Sequence, residues 1–151
     1  MTSNITAKAA IQIQKPIEVV FHAIIDPIEI SRYFLESSTG KIETNKIIQW
    51  KFPEFDDIFP VVGKKIQPHE YISFDWSSTN DNMLVEIFLE QKSLTSTIVR
   101  IKQNTFKNDE QGINQAIGQT EGWANFLASL KAYLEYGINL RKGAFDYMTK
   151  E

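Results

Sequence analysis

The sequence predicts an α+β fold: an antiparallel sheet laid out as a meander, two short helices near its start and one long helix at its end. Three observations carry this. Segments of period-two alternation follow one another through the middle of the chain with no helix between them, which excludes the crossovers a parallel sheet needs. Two proline-led helix starts stand close together after the first alternating segment. The last third repeats apolar residues at helical spacing over about 25 residues, a helix of roughly 37 Å that can cross a whole sheet. At 151 residues the chain is long enough to bury roughly 68–70% of its unfolded surface without disulfide or metal staples.

In chain order, Ile5, Ala7, Ala9, Ile11 and Ile13 alternate with mostly polar partners, as a half-buried strand does. Lys15-Pro16-Ile17-Glu18 places proline at a first helical position and an acid in the first turn, and Val19, Val20, Ala23 and Ile24 follow at helical spacing. Pro27 disfavours helical geometry at Asp26 and so ends this helix. Asp26-Pro27-Ile28-Glu29 starts the next one, with Asp26 as cap and Glu29 reaching back as in a capping box. The pair fills roughly 16–33 and suits one end of a sheet.

Alternation returns at Ile48–Phe52, at Ile72–Trp76, at Met83–Glu90 and at Thr97–Lys102, with a polar turn expected over 77–82 and a short one near 91–94. One face collects Trp50, Phe52, Phe74, Trp76, Val85, Ile87, Leu89, Val99 and Ile101. The other carries Gln49, Lys51, Ser73, Asp75, Glu86, Glu90, Arg100 and Lys102. The long helix spans about 113–138, with a stripe of Ile113, Ile117, Trp123, Leu127, Leu130, Leu134 and Ile138 broadened by Phe126 and Tyr133. Asn108 or Asp109 can cap it; Gly137, Gly143 and the pair Arg141-Lys142 mark its finish. With no repeat, linker or low-complexity tract, residues 1–151 read as one domain.

Composition excludes several kinds of chemistry. With no cysteine there is no disulfide, thiolate metal site, iron–sulfur cluster or cysteine nucleophile. A net charge of −3 argues against a nucleic-acid binder, which would need a basic face. The longest apolar run, Val19 to Ile25, is broken by His22 and falls far short of the ~20 residues of a membrane span. The start of the chain shows no secretory pattern, so a soluble cytoplasmic protein is expected. What composition supplies in excess is aromatic surface: 12% of residues, including ten Phe, five Tyr and three Trp.

Read together, these segments resemble the START-like (SRPBCC) helix-grip superfamily, in the branch related to the C-terminal domain of the chaperone-ATPase activator. The likeness runs from about Ala10 to Leu140. Its carriers are the strand Ile11–Gln14 followed by Pro16, Val20-Phe21 and Ala23, the Asp26-Pro27 turn and the Tyr33-Phe34 helix end. Phe74-Asp75-Trp76, Thr97-Ile98-Val99-Arg100-Ile101 and Gly122-Trp123 on the long helix complete it. Tyr33 stands where the family more often has Trp, and Lys92-Ser93-Leu94-Thr95 lacks the usual turn glycines. The resemblance implies a curved antiparallel sheet of six to seven strands wrapped on the C-terminal helix, with a cavity between them. It leaves ligand preference open, because the family shares architecture and little chemistry.

The cavity wall is then expected from Trp50, Phe52, Phe74, Trp76, Ile87, Ile101, Trp123, Phe126 and Leu127. Solid cores use the same residue types, so each is either wall or plain core. Gly118 and Gly122 lie four apart on the long helix; either strand backbone, a short helix or a ligand approaches them closely, or regular helix begins only near Thr120. Leu84 and Phe88 put apolar groups on the polar face, a self-association patch or scattered surface residues. Catalytic and metal residues are not nominated. His22 and His69 are isolated and read as solvated or hydrogen-bonded structural residues. Asp56 and Asp57 point to opposite faces of an extended segment and read as solvated loop acids rather than a proton-sharing pair.

The leading functional expectation is therefore non-catalytic binding of a small hydrophobic or aromatic ligand, with no cofactor and no nucleic acid. A second is a protein-interaction module resembling the chaperone-ATPase activator, its partner a chaperone, another protein or a second copy in a homodimer. A third is an enzyme, since superfamily relatives include cyclases and hydrolases of aromatic substrates; the missing acid–base constellation counts against it.

Overall fold

The computed structural model describes residues 4–76 and 83–149. Its sheet has seven antiparallel strands in the order β1-β7-β6-β5-β4-β3-β2. In sequence these are β1 (Ile5–Ile13), β2 (Ser37–Ser38), β3 (Ile47–Lys51), β4 (Ile58–Gln67), β5 (Tyr71–Asp75), β6 (Leu84–Ser93) and β7 (Ser96–Phe106). Strands β2 to β7 form a meander in which β3, β5, β6 and β7 are the expected segments, and β1 closes the order by pairing with β7, Ile11 facing Val99 and Ile13 facing Thr97. Helices α1 (Ile17–Ile25) and α2 (Pro27–Ile30) follow β1, and α3 (Glu110–Tyr136) crosses the concave side. This is the α+β helix-grip architecture. The turn expected over 77–82 lies outside the described residues.

Pro27 takes the first position of α2 as expected, whereas Pro16 stands at the N-cap of α1, one residue before its first position. Asp26, extended at ψ 130°, separates α1 from α2. The Asp26 carboxylate accepts from the backbone N–H of Ile28 at 3.1 Å and of Glu29 at 3.0 Å. Glu29 departs from the capping box. The Asp26 N–H donates to the His22 carbonyl, and the Glu29 carboxylate accepts from the Tyr133 hydroxyl at 2.7 Å, joining α2 to α3.

Strand β4 went unrecognised in the sequence because Pro60 and Gly63 interrupt it. Its register slips between Gly63 and Ile66. There Ser73, expected on the polar face, is instead buried: its hydroxyl accepts from the Lys65 N–H at 3.0 Å and bonds the Lys65 carbonyl at 3.3 Å. The side chain replaces ladder bonds that the bulge removes. Phe88 is also covered, edge-on to Tyr71 at 5.2 Å and under the Lys102 ammonium.

Helix α3 begins at Asp109, whose carboxylate accepts from the Gly112 N–H at 2.7 Å, and ends at Gly137 with φ 66°. Its buried face runs through Gly112, Ala116, Trp123, Phe126, Leu127 and Leu130. Three members of the expected stripe are off that face: Ile113 is 41% exposed, Ile117 63% and Ile138 53%. At the start of the helix Gly112 and Ala116 take the buried face in place of Ile113 and Ile117, and Ile138 lies beyond Gly137, where the helix has ended. The helix runs unbroken through Gly118 and Gly122, and a Cβ at either would meet nothing within 4 Å among the described residues. Regular helix thus begins well before Thr120, and no strand or short helix among the described residues closely approaches either glycine.

Candidate functional site between the sheet and the long helix

The site is built where inward side chains of β3 and β5 meet the middle of α3. Period-two alternation turns Trp50 on β3 and Phe74 on β5 to the same side, with Phe52 and Trp76 just past the strand ends; helical spacing brings Trp123 and Phe126 down on them. The rings form one connected cluster. Trp50 lies 5.2 Å from Phe74 between centroids, Phe74 6.3 Å from Trp123, Trp123 5.9 Å from Trp76 and 5.7 Å from Phe126. Ile87, Ile101 and Leu127 are buried in the same core. The sequence-predicted wall residues are thus brought together.

Sequence reasoning missed the residue that joins them. Phe34, just after α2, is edge-on to Phe126 at 4.7 Å, to Phe52 at 5.1 Å and to Trp50 at 6.0 Å. These are contact distances for aromatic pairs, each adding about 0.5–1.5 kcal/mol to the burial of the rings. The rings therefore occupy the space between α3 and the sheet in mutual contact. Beside them the Tyr33 hydroxyl donates to the Ala23 carbonyl at 2.9 Å; burial, helped by the Glu29 charge, pushes that hydroxyl well above its ordinary pKa.

One edge of the cluster is closed by a charge. The Arg141 guanidinium lies 5.3 Å from the centroids of both Phe34 and Phe52 and 4.6 Å from that of Phe145, and its Nη2 donates to Glu54 Oε1 at 2.6 Å. The pair is largely buried, at 14% and 5% side-chain exposure. In the sequence Arg141 stands out only as a helix-end signal.

The interior polar groups are few. Gln103, fully buried on β7, accepts from Trp123 Nε1 at 3.0 Å. Among the described residues, the buried side-chain atoms with no hydrogen-bond partner are Trp50 Nε1, Trp76 Nε1, Gln103 Nε2 and Arg141 Nε. Gln103 was missed although its signal was visible: it continues the inward series Val99, Ile101 as a polar residue on an apolar face.

Acid–base and metal chemistry find little support in these positions. Asp56 and Asp57 are exposed; His22 is exposed near Asp26, and His69 takes φ 65° with its ring edge-on to Phe21. No group of three metal-ligating side chains occurs among the described residues. A depression of about 820 Å³ opens elsewhere, between the end of β7 and the start of α3, bordered by Asn104, Phe106, Asp109 and Gln115. None of the predicted wall residues borders it. No helix among the described residues is long and apolar enough to cross a membrane.

With this geometry in place, comparison with known proteins decides the family. The family model described as Activator of Hsp90 ATPase homolog 1-like protein matches residues 14–135. The chain belongs to this family. A solved structure of like size, protein SSP2350 from Staphylococcus saprophyticus, is 30% identical, with a TM-score of 0.78 over 91% of this chain and 96% of that one. The Aha1 dimer from Colwellia psychrerythraea is 18% identical, with a TM-score of 0.75 over 88% of this chain and 98% of that one. The di-domain ARO/CYC BexL from the BE-7585A biosynthetic pathway is 19% identical, with a TM-score of 0.71 over 87% of this chain and 46% of that one. The last two share the fold. None of the curated proteins matches the chain.

Proposed function

We propose that this protein binds a small hydrophobic or aromatic molecule, without turning it over, between the sheet and α3. The observation that carries the reading is the convergence of Trp50, Phe74, Trp76 and Trp123, from three separate elements, on one interior that also holds unpartnered N–H groups. A core built only for stability pairs its buried donors. Likeness of fold to a BexL-type protein from a biosynthetic pathway supports the same reading. A guest enters by parting rings that are held to one another by contact alone.

Titration with Nile red, followed by its emission, tests this. Micromolar binding that Trp123→Ala weakens at least about tenfold is expected, a loss of the size one anchoring aromatic contributes. Near-ultraviolet circular dichroism checks that the variant stays folded, and no binding to the folded wild type overturns the reading.

A second reading follows from the family description: a protein-interaction module whose partner is a chaperone ATPase or a second copy of this chain. It draws on exposed apolar residues of the outer sheet, Ile47 and Ile58 on β3 and β4. Pull-down with an Hsp90-type ATPase and an assay of its ATP hydrolysis decide it. Association with faster hydrolysis is expected; neither effect removes it.

A further inference from the structure

The unpartnered groups of the interior have one chemical sign. Trp50 Nε1, Trp76 Nε1 and Gln103 Nε2 are all donors, and Arg141 Nε beside Phe34 and Phe52 is a fourth. The assignment at Gln103 is set by its partner: an indole N–H can only donate, so the amide oxygen faces Trp123 and the amide nitrogen is the group left over. Trp76 and Gln103 both adjoin Trp123, one through its ring at 5.9 Å and the other through the hydrogen bond, so two of these donors flank a single indole. Trp50 joins them through Phe74.

Resting on the binding reading above, we propose that the ligand is a neutral aromatic that presents hydrogen-bond acceptors, a ketone or related carbonyl compound rather than a hydrocarbon, an alcohol or a carboxylate. A buried donor without a protein partner gains a hydrogen bond from a carbonyl oxygen placed against it. A hydroxyl would bring a donor into a site that has donors in excess. A carboxylate would need a free cation, and the Arg141 charge adjoining the cluster is already paired with Glu54. The aromatic walls supply stacking surface for the rest of the molecule.

The test compares 1-tetralone with tetralin, the same bicyclic carbon skeleton with and without a carbonyl. Each is titrated into the ¹⁵N-labelled protein. The sequence has three tryptophans, so the indole region holds three signals to follow. An apolar box without free donors prefers tetralin, because the ketone must leave its hydrogen bonds to water. The proposal expects the reverse: 1-tetralone binds about tenfold tighter, the worth of one net hydrogen bond, and moves the Trp50 or Trp76 indole N–H downfield. Trp76→Phe keeps a ring and removes the donor, and is expected to shrink the ketone preference while tetralin affinity holds. Tetralin bound as tightly as the ketone or tighter overturns the acceptor assignment and leaves the binding reading standing. If neither compound moves any signal of the cluster, both fall.

Discussion

At Gly63 an added methyl group would sit 1.9 Å from the Glu43 carbonyl oxygen, while at Gly118 and Gly122 it would meet nothing within 4 Å. The first glycine lets the segment before β3 cross β4 backbone to backbone, with the Asn45 N–H donating to the Gly63 carbonyl at 2.8 Å. The other two only add backbone freedom to a helix. Gly63→Ala should therefore destabilise by about 1–3 kcal/mol, as overpacking does. Gly118→Ala and Gly122→Ala should each stabilise by about 0.5–1 kcal/mol. Urea denaturation of the three variants checks this, and a destabilising alanine at 118 or 122 would show an approach the helix does not display. Sequence reasoning had singled out the helix pair and passed over Gly63. Residue type and spacing are local, whereas the atom that forbids a Cβ comes from a segment folded in from 20 residues away, at Glu43.

At the scale of elements, what docks α3 on the first strand is a small ionic joint. Lys131 Nζ donates to the Gln12 carbonyl at 2.9 Å and to Glu135 Oε2 at 2.5 Å, and the same carboxylate accepts from the Gln14 N–H at 2.8 Å. Burial pushes the Glu135 carboxyl up, but the hydrogen bonds from Lys131 and Gln14 and the positive charges of Lys131 and Lys15 outweigh it and hold the group below its ordinary value. A carboxylate lowered in the fold adds stability above the usual carboxylate range, and loses it as pH falls through the lowered value. Glu135→Gln should therefore be less stable than wild type at neutral pH, the gap closing as the solution is acidified. A gap independent of pH in urea unfolding would show that the joint acts through packing instead. The caps themselves were legible. Asp26 and Asp109 precede their helices in sequence, and each accepts from backbone N–H groups within three residues. The offset at the start of α3 was not legible, because the 3.6-residue period of Ile113 and Ile117 does not tell that the small residues Gly112 and Ala116 take the buried face, Ala116 against Ala7 and Phe106.

For the whole molecule, the sequence alone determined the α+β class, the two helix starts and the face on which the aromatics gather. These follow from periods of two and 3.6 residues and from proline geometry, which act over a few neighbours at a time. The ordered motifs of the sequence also carry the family resemblance that the match over residues 14–135 bears out. Tertiary structure decided the rest. Strand β4 forms despite Pro60 and Gly63 because β3 and β5 flank it and Ser73 fills its missing ladder bonds. Phe34 becomes the hub of the cluster, and Arg141 its charged edge, through partners such as Glu54, 87 residues away. That the aromatic rings touch one another, and that the donors left over among them are all N–H groups, depends on distances between elements far apart in the chain. Hydrogen-bond satisfaction is a property of the packed interior, so no local pattern of residues could have announced it.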